Sequence, residues 1–313
     1  MDNIIHAIES INANISGFIW SPFMLAVFLG TGLYFSVRTG FIQVFKFGSI
    51  LKETIVKTFQ SPKKAVKGSI TPFQALSTAL AGTIGTGNIA GVATAITIAG
   101  PGAIFWMWIS AFVGMMTKYA EIVLAIEYRK KNSRGEWLGG PMIYIQDGLN
   151  MKWLACIYAF FGDAASFGVG NMAQANSISS AMSVAFHIPP LLTGIILSVL
   201  IGVTVVGGVN KIGGLAEKVV PVMSILYSSA AILVILFNIK NIPAVTALIF
   251  TSAFKPLAPV GGFLGATVAT AIQKGISRGI FTNEAGLGSA SIAHAVANTD
   301  HPVRQGFWGI FEV

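Results

Sequence analysis

An all-α polytopic membrane protein is the fold class the sequence predicts, on three observations. Of 313 residues, 54% are hydrophobic and 10% charged, with a mean hydropathy of +0.73; a soluble domain carries about 25% charged residues. Apolar runs recur along the chain between short polar connections, and a helical span needs about 20 such residues. Twelve of the twenty Lys and Arg fall in two segments, residues 38–67 and 129–152. That is the clustering of cytoplasmic loops under the positive-inside rule. The net charge of +8 is thereby explained without nucleic acid, and the partner it implies is the lipid bilayer. The single cysteine, Cys156, lies in an apolar run, which excludes a disulfide framework and reads as a small core residue.

Taken in order, residues 1–16 place Ile4, Ile8, Ile11 and Ile15 on one helical face. They lack the basic start of a signal peptide, so an interfacial amphipathic helix on the outer side is expected. Residues 17–37 hold a short first span, apolar from Pro22, and residues 38–67 a basic cytoplasmic connection. The span 73–99 closes at Gly100-Pro101-Gly102, a tight turn. The next, 103–127, carries Lys118 and Glu121 near its inner end, where snorkelling to the interface is cheap. The second basic loop, 129–152, contains Gly139-Gly140-Pro141. Residues 153–186 form a long span with a polar middle, turned at His187-Ile188-Pro189-Pro190. Span 191–206, an inner loop 209–218, span 219–237 and a weakly apolar connection 241–258 follow. Residues 262–297 form a second interrupted segment, and 307–313 read as the start of a further span, so the chain is expected to be a fragment or a truncated product. The crossing count puts both basic loops on one side, the N-terminus outside, and 73–99 running from inside to outside.

The chemistry is expected at the two interrupted spans. Gly82, Gly85, Gly87 and Asn88 fall together inside 73–99. Glycine weakens a helix interior, and an amide at membrane depth needs partners. Unwound backbone survives there only where it is buried or lines a cavity. Two such breaks, one early and one late, mark a secondary-transporter site: half-helix N-termini attract a carboxylate, and freed carbonyls suit a cation. The alternatives are close packing through small residues and a phosphate loop, whose signature and preceding strand are both missing. The second break is more polar, with Lys274, Arg278 and Glu284, and its alternative is a cytoplasmic re-entrant loop. Phe167, Asn171 and Gln174, spaced i, i+4, i+7, share a helical face suited to walling a small polar ligand or to interhelical hydrogen bonding. Among Glu121, Glu127 and Asp163, Asp163 is the deepest in its span and the sharper proton-carrier candidate, against a structural pairing. His294 reads as a satisfied structural residue. The sequence shows no metal-ligand cluster, nucleophile–base pair or paired carboxylates, which leaves an enzyme unsupported.

Four stretches carry a resemblance: TPFQALSTALAGTIGTGNIAGVATAI (71–96), Gly139-Gly140-Pro141, SFGVGNMAQANS (166–177) and RGIFTNEAGLGSASIAHA (278–295). Together, in this order, they resemble the alanine or glycine:cation symporter family, the sodium:alanine symporters. The resemblance implies a LeuT-type inverted-repeat transporter fold with one extra N-terminal helix. Residues 71–313 would be a partial core with an incomplete second repeat, within a single transporter domain over 1–313. It implies that Thr86, Gly87 and Asn88 hold a substrate carboxylate and that the Ala81 and Ile84 carbonyls contribute to a sodium site. Phe167, Asn171 and Gln174 would face the substrate, with Gln273, Gly275 and Ser277 as the contributors from the second broken helix. Sodium is then the coupling ion, with no other cofactor, and alanine or glycine the cargo, imported across the plasma membrane. Proton coupling is the alternative within that class. A pore or an amino-acid sensor is the alternative outside it, but a pore would show rings of charge or a repeated filter and a sensor a long soluble domain.

Overall fold

The computed structural model describes residues 2–56, 68–85, 87–255 and 267–313. The first helices are α1 (Asp2–Ile19), α2 (Pro22–Arg38), α3 (Ile42–Phe45) and α4 (Phe47–Leu51), the last followed by a π-turn, Lys52–Val56. The first broken segment is α5 (Pro72–Thr83), a π-turn Gly87–Gly91 and α6 (Val92–Ala99). Next come α7 (Gly102–Glu127), a two-residue hairpin pairing Lys130–Lys131 with Trp137–Leu138, and α8 (Pro141–Gly148). Then follow α9 (Lys152–Phe167), a π-turn Gly168–Met172, α10 (Ala173–Phe186), α11 (Pro190–Val205), α12 (Gly208–Phe237) and α13 (Ile242–Phe254). The chain closes with α14 (Val268–Asn283), α15 (Ser289–Ala295) and α16 (Pro302–Glu312).

Among the described residues three helical stretches are long and apolar enough to cross a membrane: Gly102–Glu127, Lys152–Phe186 and Gly208–Phe237. Two bent pairs meet the same criterion together: His6–Ile19 with Pro22–Arg38, bent by 41°, and Pro72–Thr83 with Gly87–Ala99, bent by 50°. The first bend lies at Ser21-Pro22. Ser21 caps α2 by accepting from Met24 N, and Pro22 sits in the first turn, where its missing N–H costs nothing. The amphipathic N-terminal helix therefore runs to Ile19, beyond residue 16.

The core is organised around α7, which packs against α2, α13, α14, α15 and α16. Its contacts are made at small residues. A Cβ on Gly275 would stand 2.5 Å from Ala103 O, and one on Gly279 would stand 2.7 Å from the Ser110 side chain, so α14 lies directly on α7. Leu25, Ile276 and Ile280 bury one cluster between α2 and α14, and Ile50, Met116 and Ile310 another around α7 and α16. By contrast α9 to α12 carry exposed apolar side chains such as Phe160, Leu200 and Phe237, a surface that suits lipid. The two broken segments run antiparallel: α5 packs on α15 and α6 on α14. Their outer residues are joined where Ile70 bridges Ala297, with Asn298 N donating to Ile70 O at 2.8 Å. Arg129 closes that end, donating to Ala295 O and Ala297 O at 2.9 and 2.6 Å while stacking on Trp137. Burial lowers its pKa.

Several expectations are corrected. Residues 209–218 are the first turns of α12, not a loop. Gly213 lets this end approach Ile70 and Gln74, and Gln74 Nε2 donates to Glu217 Oε2 at 2.8 Å. Cys156 is exposed on α9 rather than in the core. Lys118 does not snorkel: it is 0% exposed, because Glu312 and a backbone carbonyl of the second broken segment satisfy it in the interior. Asp163 is exposed on α9, whereas Glu312 and a carboxylate oxygen of Glu121 are buried inside the protein.

Candidate functional site

The first break is built by α5 ending early. A capping box fixes its start: Thr71 Oγ1 accepts from Gln74 N at 3.1 Å, and Gln74 Oε1 accepts from Thr71 N at 3.0 Å. Its end comes at Ile84, which is extended (φ −81°, ψ 90°), with Ile84 N donating back to Leu80 O at 2.7 Å. Past the gap the chain resumes as the π-turn Gly87–Gly91, a form common at functional sites. Asn88 N reaches Gly85 O at 3.1 Å, while Asn88 Oδ1 is buried with no hydrogen-bond partner. A buried acceptor left without a donor costs free energy.

Three elements close on the break. A Cβ on Gly85 would stand 2.9 Å from Gln174 Nε2 on α10, and one on Gly87 would stand 3.3 Å from the Phe281 ring of α14 and 3.8 Å from Thr282. Glu284 Oε1 lies 3.9 Å from where a Cβ on Gly82 would stand. Arg278 stacks over Phe281 with its guanidinium 5.7 Å from the ring centre.

Of the residues expected here from sequence, Gly87, Asn88 and Gln174 come together, and the Ala81 and Ile84 backbone flanks them. Thr86 lies outside the described residues. Phe167 and Asn171 do not join: Phe167 is 69% exposed and Asn171 is exposed. The π-turn Gly168–Met172 puts an extra residue into that turn, so Phe167 and Gln174, seven residues apart, no longer share a face.

The second break lies further along than expected. Gln273, Gly275 and Ser277 are interior residues of α14. Gln273 Nε2 donates to Trp20 O at 2.8 Å, Gly275 is a packing contact on α7, and Ser277 Oγ donates to Lys274 O at 3.2 Å. The helix ends at Asn283, and Glu284, Gly286 and Gly288 all take positive φ before α15 starts. Ser289 Oγ donates to Glu284 Oε2, and Tyr158 OH to Leu287 O at 2.9 Å. The backbone N–H groups of Gly286 and Gly288 address the Glu121 carboxylate, whose Oε2 is buried without a partner. Nearby, on α8, the Tyr144 phenol has its pKa raised, first by burial and then by the charge of Glu121 and by Tyr158. Phe281 and Thr282 are the residues beside the break that sequence reasoning missed, and Glu284 was named only as a polar residue of the second break. The available signal was the Gly286-x-Gly288 spacing, which repeats that of Gly85 and Gly87.

A profile described as the sodium:alanine symporter family matches residues 5–313. The chain belongs to the sodium:alanine symporter family. Its members are membrane transporters of amino acids rather than enzymes. Among relatives, an uncharacterized transporter of Haemophilus influenzae is 50% identical over 96% of this chain and 65% of its own length. A sodium/alanine symporter of Methanococcus maripaludis is 48% identical over 93% of this chain and 64% of its own. A probable sodium/glutamine symporter of Bacillus subtilis is 42% identical over 94% of this chain and 60% of its own. The chain thus spans 60–65% of the length of these relatives.

Proposed function

We propose that the full-length protein is a sodium-coupled symporter that imports alanine or glycine across the plasma membrane. The observation that carries this reading is the break at Ile84–Asn88, where Asn88 Oδ1 is buried without a donor and Gln174 and Phe281 stand over the gap. The substrate carboxylate binds at Gly87 and Asn88, with the Gly87 N–H as donor, where the half-helix dipole is positive. Sodium binds at the carbonyl pole, at Ala81 and Ile84, with the Glu284 carboxylate adding negative charge nearby. Thr86 is assigned to the substrate carboxylate in this reading. The substrate ammonium supplies the donor that Asn88 Oδ1 lacks.

Phe281 and Gln174 stand within van der Waals range of any side chain placed on Gly87 or Gly85, so a larger residue at either position would intrude on the break. The antiparallel pairing of the two broken segments, α5 on α15 and α6 on α14, is what an inverted repeat of the LeuT type requires. Both basic loops are then cytoplasmic and the N-terminus is outside. Uptake of labelled alanine by the full-length protein in proteoliposomes is the test: a sodium gradient accelerates it, and uptake driven by a proton gradient without sodium overturns the sodium assignment.

A further inference from the structure

The second break carries its own counter-charges. Asn283 ends α14, so its carbonyl sits at the negative pole of that half-helix. Lys118 Nζ donates to this carbonyl at 2.7 Å and meets Glu312 Oε1 at 2.6 Å. Both side chains of the pair are 0% exposed. Glu312 Oε2 lies 3.2 Å from His294 Nε2 on α15, and His294 Nδ1 lies 2.7 Å from Gln305 Nε2. The network therefore joins α7, the end of α14, α15 and α16. One turn along α7 from Lys118, Glu121 faces the N–H groups of Gly286 and Gly288, at the opposite pole of the same break.

The C-terminal pole of α14 thus already holds the positive charge that an exchangeable cation would bring. The first break differs: among the described residues no charged side chain hydrogen-bonds the backbone between Ile84 and Asn88, and an acceptor is left open there. A buried charge must be paired, and removing one partner leaves the other stranded. Lys118 and Glu312 are therefore one unit, and the unit is fastened to the last carbonyl of α14.

We infer that Lys118, held by Glu312, is a positioning residue of the transport cycle: a resident cation that fixes the second break. Exchangeable ligands bind at the first break, and the second sets how fast the carrier turns over. The kinetic part of this inference rests on the transport reading above; the structural part does not.

The test uses the full-length protein in lipid nanodiscs and proteoliposomes, comparing wild type with the double variant Lys118→Met/Glu312→Gln, which removes both charges without stranding either. Amide hydrogen exchange of the peptide covering 284–289 is expected to quicken about tenfold or more, with the peptide covering 84–91 unchanged. Alanine and sodium affinities stay within about threefold while the turnover rate falls about tenfold. Unchanged exchange at 284–289, or an equal rise at both breaks, overturns the inference, as does loss of alanine binding or unaltered turnover. Should the double variant fail to give monodisperse protein, Glu312→Gln keeps the shape of the side chain while releasing its hold on Lys118, and the same exchange contrast decides. Failure of wild-type alanine uptake counts against the substrate assignment, and the exchange contrast still judges the resident cation.

Discussion

Gln174 and Gly85 touch across the first break: a Cβ on Gly85 would stand 2.9 Å from Gln174 Nε2 and 3.0 Å from Oε1. A long amide from α10 thus occupies the space that every residue but glycine would need. Gly85→Ala displaces the amide, and Gln174→Ala vacates the same ground, so the two changes are not independent. Measured as alanine affinity of the full-length protein, their double-mutant cycle is expected to show a coupling of about 0.5–3 kcal/mol. Additive effects would mean that the amide does not close the site.

Gly87 answers to a different wall. A Cβ there would stand 3.3 Å from the Phe281 ring, a contact that a small shift of the ring can relieve. Gly87→Ala is therefore expected to weaken alanine binding about tenfold or less, and Gly87→Val, with two more carbons aimed at a packed ring, to abolish it. Expression and membrane insertion remain at wild-type level in both, because the residue opens the π-turn Gly87–Gly91 at its first position and lies outside the apolar helix interiors. Equilibrium binding of labelled alanine, with membrane-fraction yield as the control, checks both outcomes.

Gln273 and Ser277 should be silent in binding. Gln273 Nε2 holds Trp20 O, and Ser277 Oγ bonds within its own helix. Gln273→Ala is expected to lower thermal stability by about 1 kcal/mol, the usual worth of one hydrogen bond. Alanine affinity should stay within about twofold, since a group that never touches ligand contributes no uniform binding. Thermal unfolding and binding measured on the same preparation separate the two effects.

The contrast between the breaks explains what was legible in the sequence. The first was readable because three glycines and Asn88 crowd into one membrane-length run, where only a break makes them tolerable. The second was readable as a segment but not as a position. Gly275 and Gly279 resemble helix breakers, yet they are glycine so that α14 can lie on the Ala103 carbonyl and on Ser110. Gly286 and Gly288 are glycine because their φ values are +92° and +78°. One letter serves both needs, and only the third dimension tells them apart. Lys118 was misread for a related reason: its partner Glu312 is 194 residues away. The π-turn at Gly168–Met172, which takes Phe167 off the face of Gln174, leaves no mark in apolar periodicity.

Glu284 offers the sharpest separation of cation from substrate. Its Oε1 stands 3.9 Å from the position of a Cβ on Gly82, beside the carbonyl pole of α5. Its Oε2 is engaged by Ser289. A carboxylate beside the negative pole of a half-helix is repelled unless a cation lies close to both. Glu284→Gln keeps the shape and the Ser289 contact but removes the charge, so sodium affinity is expected to fall about tenfold or more. Coupling between ligands is reciprocal: alanine affinity falls at low sodium and returns to within about twofold of wild type once sodium is saturating. Alanine binding titrated at several sodium concentrations reads both quantities. An alanine affinity that stays low at every sodium concentration would assign Glu284 to the substrate ammonium instead.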